Sequence, residues 1–416
     1  MKIFWFTNKL MPELTRKIGR NIDVYGGWMP SLLNALRSTT DVEIAVACID
    51  PETNQLVKHE IEGVTYFLLP LKQPKEPQLT PAFVEACTEA ITAFHPDIIH
   101  VHGTEYVYGL FTAQAGCRVP TVISIQGLLH VYSRYVDGGI TLRDSFDGGI
   151  PGLLSWLRFQ LQQFQWIKRG RVEQQILKGN ENIIGRTDWD KAHVFEVNPE
   201  ARYFYGGELL RLPFHEAQWD LAQSQRHSLF CTAAHSPLKG FHWLLYAVNL
   251  LKKEFPDINV RVAGAPWNDS KGFGYYGRYL KRLIDKYGLS SHVTPLSSLS
   301  AEEVAKELKR AHAFVIPSLI ENSPNSLAEA MMVGTPCVAS LIGGIPSMVE
   351  NEKSALCFPG GDVAYLAHCI RRIFTNDELA QQLSSNARAV ALERHAPEKI
   401  IPQLMETYRN VASTPM

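Results

Sequence analysis

The stretch HAFVIPSLIENSPNSLAEAMMVGTPCVAS, His312–Ser340, reads as a strand–helix–strand unit. HAFVIPS is a buried strand by composition. LAEAMMVG carries helix-forming residues, and Gly334-Thr335-Pro336 stops the helix before the strand PCVAS. Between first strand and helix lies ENSPNS, with several cap candidates. Ser323 before Pro324 fits an N-cap and first helical position, and Ser326 ahead of Glu329 fits a capping box. On either reading the free amides of the helix start point back to the strand end, where an αβ protein binds ligand and a phosphate is well received. Glu321 and Glu329 flank that helix start. They read either as a loop charge and a cap, or as a ligand grip.

The same alternation extends in both directions. KIFWFT, VEIAVACI, VTYFLL, DIIHVH, TVISIQ and ENIIGR read as strands, with WMPSLLNALRS, PAFVEACTEAITAF and YGLFTAQAG as helices between them. After a loop-rich stretch near 206–225 a second series begins: HSLFCTA, INVRVAG, HAFVIPS, PCVAS and ALCFP. Near-continuous apolar strands separated by helices predict parallel sheets covered on both faces. Two such series predict an α/β protein of two doubly wound domains, 1–205 and 206–396, each taking ligand at the carboxyl ends of its strands.

Length and composition agree with this and exclude other classes. A chain of 416 residues exceeds one hydrophobic core, and 45% apolar with 20% charged residues is ordinary for a soluble globular protein. Lys plus Arg (41) balances Asp plus Glu (42), so no nucleic-acid partner is called for. The seven cysteines are scattered, which reads as reduced thiols in a cytoplasmic protein. IFWF is too short for a secretory h-region, and no run approaches the ~18–20 apolar residues of a membrane span, leaving at most peripheral membrane contact. The first strand lacks a following G-x-G-x-x-G, and no P-loop is present. HExxH and His/Cys clusters are absent, and Asp188-x-Asp190 follows Thr187 at capping-box spacing, so no metal site is expected.

The E-x7-E pattern within PSLIENSPNSLAEAMMVGTPCVASLIGGIPSMVE resembles the retaining GT-B glycosyltransferases of family four, the glycosyl transferases group 1. ALCFPGGDVAYLAHCIRRIFTND, INVRVAG and GRYLKRLIDKYGLSSHVTPL are similar to further parts of that family, over about 230–395; 1–205 resembles it more loosely. The resemblance implies two Rossmann-like domains facing a central cleft, with the C-terminal helix 397–416 packing back on the first. Glu321 would accept hydrogen bonds from the donor sugar and Glu329 from the ribose, while the amides of Asn325, Ser326 and Leu327 hold the diphosphate. Lys239, before Gly240, would neutralise the departing phosphates. Gly26-Gly27 would let backbone approach the phosphates, and His102 would contact the reacting sugar, with His100 the better candidate for a buried, satisfied histidine. Gln126, where relatives carry histidine, together with His130 and Arg186, would belong to the acceptor side or cleft. Ala233-Ala234 stands where the family commonly has Gly-Arg, so His235 or an arginine from elsewhere would have to compensate.

The expected function is retaining, metal-independent transfer of a sugar from a UDP- or GDP-sugar to a hydroxyl of a glycan or lipid-linked acceptor, in bacterial surface polysaccharide synthesis. No cofactor is expected beyond that donor. The segment 151–172 has no acidic residue, several basic ones and four large aromatic rings. It reads either as an interfacial helix at the inner face of the membrane or as a helix that packs its aromatic face in the core or against a neighbour. Two other readings stay open: a nucleotide-sugar epimerase on the same fold, which would isomerise sugar without an acceptor, and a non-catalytic nucleotide-sugar-binding protein.

Overall fold

The computed structural model describes the chain except residues 21–26, 73–77, 115, 147–148, 233, 266–273 and 414–416; side chains at 145, 146, 149–152, 155, 158 and 159 are also outside the description. Among the described residues, fourteen strands fall into two sheets. The first contains β1 (Lys2–Thr7), β2 (Glu43–Asp50), β3 (Val57–Ile61), β4 (Val64–Pro70), β5 (Ile98–His102), β6 (Thr121–Ser124), β7 (Asn182–Gly185) and β8 (Arg202–Tyr205). Their order is β3-β4-β2-β1-β5-β6-β7-β8. The second contains β9 (Gln225–Cys231), β10 (Asn259–Val262), β11 (Val293–Pro295), β12 (Ala311–Ile316), β13 (Cys337–Ser340) and β14 (Leu356–Phe358), in the order β11-β10-β9-β12-β13-β14.

Every pairing is parallel except β3 with β4. The expected strands form because their apolar runs are covered on both faces: every residue of β5 and of β12 is buried. β3 escaped the sequence reading. Its VKHEI alternates between half-buried and exposed residues, and it turns into β4 through Glu62 and Gly63, both at positive φ.

By contacts the chain forms two compact units. One comprises Met1–Val131, Gln165–Leu209 and His395–Met416; the other comprises Tyr132–Phe164 and Leu210–Arg394. The expected first domain ran unbroken from 1 to 205, whereas the contacts group Tyr132–Phe164 with the second unit. Gly138 shows the physical reason within that unit: a Cβ there would lie 2.5 Å from the Pro237 carbonyl oxygen, so this excursion seats against the turn that carries Lys239. The last helix, Pro397–Ala412, lies in the first unit. Its Tyr408 hydroxyl lies 2.7 Å from Nδ1 of His100 on β5 and accepts from Trp5 Nε1 of β1 at 3.2 Å.

Candidate functional site

In the second unit the sheet begins at β9 in its interior, grows outward through β10 and β11, and resumes beside β9 with β12. The loops after β9 and β12 therefore leave the carboxyl edge side by side, the place where doubly wound sheets take ligands. They are stitched together. The Leu319 amide donates to the Leu238 carbonyl at 2.8 Å. Gly240, at φ +70, approaches so closely that a Cβ would stand 1.9 Å from the Pro317 carbonyl oxygen, which only glycine permits.

Clasped in this way, the loops pair their side chains. Lys239 Nζ and Ser318 Oγ each donate to Glu321 Oε1 at 2.7 Å. Glu321 is 5% exposed, and Oε2 receives no donor among the described residues. A carboxylate with one oxygen committed and the other open is an acceptor suited to a hydroxyl. The glycine turn after β13 also closes on this point. The Gly344 amide donates to the Glu321 carbonyl at 2.9 Å, and Gly343, at φ +50, would put a Cβ 2.0 Å from that oxygen.

The helix behind Glu321 runs Asn325–Val333 and starts differently from the sequence expectation. Its N-cap is Pro324, with no side-chain cap, so neither Ser323 nor Ser326 caps it. The reason is conformational: Pro324 sits at φ -71 and ψ 118, extended, which makes Asn325 the first helical residue. Leu327 and Ala328 both donate to the Pro324 carbonyl, so the Leu327 amide, one of the expected phosphate donors, is already used. The amides of Asn325 and Ser326 remain as those a helix cannot satisfy internally.

Glu329 is not a cap either. It is 8% exposed, and its Oε1 accepts from Arg211 Nη2 at 2.7 Å. Arg211 precedes the short helix Leu212–Glu216 and lies 5.0 Å over the Phe214 ring. This arginine was missed because its partner is 118 positions away and RLPF carries no motif. Ser318 was missed as well, although its place just ahead of Glu321 in PSLIE was the available signal. His235 is exposed beside this group. Desolvation and the Lys239 charge, opposed by Glu321, hold its imidazole below the ordinary value. Ala233 lies outside the described residues.

In the first unit the expected residues do not gather in one place. Gly26 lies outside the described residues. Gly27 is the N-cap of the helix Trp28–Thr39 with an ordinary φ of -60. His100 is the satisfied core histidine foreseen: Nε2 lies 2.6 Å from Ser124 Oγ, and burial lowers its imidazole to about 3. His102 is 1% exposed with both ring nitrogens unpartnered, against Trp5 at 4.5 Å and Trp28 at 5.5 Å between ring centres. Burial, then the neighbouring His100 and Arg186, hold it well below its ordinary value.

His102 and Arg186 line one cavity of about 20 Å3, enough for a water molecule and far too small for a sugar ring. Arg186 pairs there with Glu208 at 2.7 Å and stacks 5.7 Å over Trp28. His130 directs both its amide and Nδ1 at Glu173 Oε2, at 2.9 and 2.7 Å. Gln126 is half-buried in the loop after β6. Thr187 accepts from the Asp190 amide at 3.1 Å, the capping arrangement read from the sequence. Among the described residues no cluster of three or more His, Cys, Asp or Glu side chains is placed to hold a metal.

Residues 216–390 match the family model described as Glycosyl transferases group 1. The chain is 32% identical over 189 residues to a D-inositol 3-phosphate glycosyltransferase of Corynebacterium urealyticum, covering 43% of this chain and 42% of that one. It is 33% identical over 151 residues to the putative colanic acid biosynthesis glycosyltransferase WcaL of Escherichia coli K12, covering 34% and 35%. The chain thus aligns with less than half the length of these relatives. Across its whole length it superposes on sucrose-phosphate synthase of Thermosynechococcus elongatus with a TM-score of 0.74, at 19% identity and 99% and 98% coverage. The fold is GT-B.

Proposed function

We propose that this chain is a retaining glycosyltransferase that moves a sugar from a nucleotide-diphosphate sugar, UDP- or GDP-linked, to a hydroxyl of a glycan or lipid-linked acceptor. The observation that carries this reading is the buried Glu321, held by Lys239 and Ser318 through one oxygen, beside a helix start with two open amides. The open oxygen accepts a sugar hydroxyl, and the amides of Asn325 and Ser326 receive the diphosphate. Glu329, oriented by Arg211, accepts from the ribose. As the bond from the anomeric carbon to the diphosphate breaks, the Lys239 ammonium and the helix start stabilise the charge developing on the leaving oxygen, a role often given to a metal ion.

The acceptor oxygen forms its bond on the face the diphosphate leaves, and its proton passes to a diphosphate oxygen; no protein base is required. The similarity to a colanic acid enzyme supports surface polysaccharide synthesis as the setting. A place at the inner membrane face is supported by the helix Gly149–Lys178, which turns Leu154, Leu157, Leu161 and Phe164 to solvent, 47–69% exposed. Their spacing puts them on one side. The experiment is nucleotide release with UDP-glucose, UDP-N-acetylglucosamine and GDP-mannose over an acceptor panel, with NMR of the product's anomeric centre. Absence of nucleotide binding and release with all three would sink the reading, and an inverted anomer would remove its retaining part.

A further inference from the structure

Asp137-Gly138-Gly139-Ile140 folds as a tight turn within the second unit. Gly138 and Gly139 both lie at positive φ, +65 and +75, and the Ile140 amide donates to the Asp137 carbonyl at 3.1 Å. Glycine adopts that pair of conformations most readily. The Asp137 carboxylate accepts from the Gly139 amide at 3.0 Å and stiffens the turn. Ile140 is buried in the core of the unit. A Cβ on Gly138 would stand 2.5 Å from the Pro237 carbonyl oxygen, and one on Gly139 would stand 3.1 Å from Cζ2 of Trp243. The turn therefore sits directly on the Pro237–Lys239 turn, from which Lys239 reaches Glu321.

One side chain fastens the two turns together. His242, buried, is the second residue of the helix Phe241–Leu251 that follows Lys239-Gly240. Its Nε2 lies 3.0 Å from the Gly138 carbonyl oxygen, which can only accept, so Nε2 carries the proton. Nδ1 is then an acceptor, and the Tyr276 hydroxyl, 2.9 Å away, donates to it. The same hydroxyl accepts the His242 amide at 3.2 Å, one of the donors a helix start leaves over. Burial, opposed by the Gly138 bond and the Asp144 charge, lowers the imidazole to about 4, so it is neutral at neutral pH. The Leu238 carbonyl is tied to the Glu321 loop by backbone alone, whereas the seat under Gly138 depends on a side chain.

We propose that His242 is a positioning residue for Lys239: by latching Gly138 onto the Pro237–Lys239 turn it fixes where the ammonium stands beside Glu321. Assigning that ammonium to a leaving diphosphate rests on the reading of the chain as a glycosyltransferase; the latch itself does not. Lysine has a long stem with many rotamers, so its charge is held in one place only when the turn beneath it is fixed. A displacement of about 1 Å at a group that stabilises developing charge can cost on the order of 10²-fold in rate. The latch therefore acts on turnover. Donor binding through the Asn325 and Ser326 amides and Glu329 does not pass through it.

The test uses the full chain, in nucleotide release with UDP-glucose, UDP-N-acetylglucosamine and GDP-mannose and in hydrogen–deuterium exchange without ligand. His242→Leu lowers kcat by roughly ten- to a hundredfold, while KM for the donor stays within about threefold. It also speeds exchange of the Ile140 and Gly240 amides, which close the two turns, by about tenfold or more. His242→Gln, which keeps a donor for the Gly138 carbonyl, restores kcat and exchange to within about threefold of the native chain. Added to Lys239→Met, His242→Leu costs less than about threefold more, because both act through one ammonium; a residue serving stability alone would add its full loss. Gly138→Ala, which pushes the turn off Pro237, gives the same kinetic pattern and decides the matter if His242→Leu does not fold. Unchanged kcat, full additivity with Lys239→Met, or unchanged exchange in His242→Leu each overturns the latch. Absence of nucleotide release by the native chain strikes instead at the glycosyltransferase reading, and the exchange rates then decide the latch.

Discussion

Replacing Lys239 by methionine keeps the aliphatic stem and deletes the charge. The Glu321 carboxylate then remains 5% exposed with Ser318 as its hydrogen-bond donor. Removing one partner of a fully buried ion pair costs about 3–5 kcal/mol, and orphaning an ordinary buried polar group costs about 1–3 kcal/mol. The Lys239 side chain is 26% exposed, so solvent screens part of the loss. We expect about 1–3 kcal/mol. Glu321→Gln acts in the opposite sense: it keeps the shape, removes the buried charge, and leaves an ammonium that water already reaches. Its cost stays below about 1 kcal/mol. The double variant has no charge to strand, so its loss falls short of the sum of the single losses by about 1 kcal/mol. Urea unfolding of the three variants and the native chain, followed by tryptophan fluorescence, measures all four corners. A Glu321→Gln loss as large as that of Lys239→Met, or simple additivity, refutes the claim that Lys239 holds a buried charge. On the proposed chemistry, Lys239→Met also lowers nucleotide release by about 10²–10³-fold; a loss under threefold removes its role in leaving-group stabilisation.

Gly343→Ala forces a side chain at φ +50 and sets a Cβ 2.0 Å from the Glu321 carbonyl oxygen. The conformational term alone is about 1–2 kcal/mol, so we expect at least that loss together with weaker nucleotide-sugar binding in calorimetry; unchanged stability would show the contact to be free to relax. His100, lowered to about 3 by burial, stays neutral in the folded chain while the unfolded chain takes up protons below about 6.5. Its contribution is therefore complete above about 6.5 and is lost as pH falls toward 3, amounting to about 2 kcal/mol between pH 7 and pH 5. Urea midpoints at the two pH values should diverge less in His100→Gln, and an unaltered difference would assign the acid sensitivity elsewhere. For the helix Gly149–Lys178, Leu157→Asp with Leu161→Asp should reduce co-sedimentation with phosphatidylglycerol vesicles at least fivefold, since each removes an apolar anchor; equal sedimentation, or none by the native chain, rejects membrane contact through this face.

Local pattern carried much of the molecule. The runs around β5 and β12 are apolar from end to end, and that property alone requires cover on both faces and a parallel sheet. Glu321 and Lys239 could be singled out from the motifs in which they sit. Where the reading went astray, geometry across distance was responsible. Ser323 is a good capping residue, yet the extended Pro324 moved the helix start past it. His102 does end a strand, β5, but the indoles of Trp5 and Trp28 set against it come from distant parts of the chain.

By itself the sequence determined the elements, their parallel pairing and the strand end at which a ligand grip belongs, because hydrophobic period and turn chemistry are local properties of the chain. Only the tertiary structure decided which groups meet there. Lys239 and Ser318 share one oxygen of Glu321, Arg211 reaches Glu329 across 118 positions, and His242 meets the Gly138 carbonyl across 104. Such pairings depend on where two loops emerge from a folded sheet and how closely their backbones can pass, and no short stretch of chain encodes that distance.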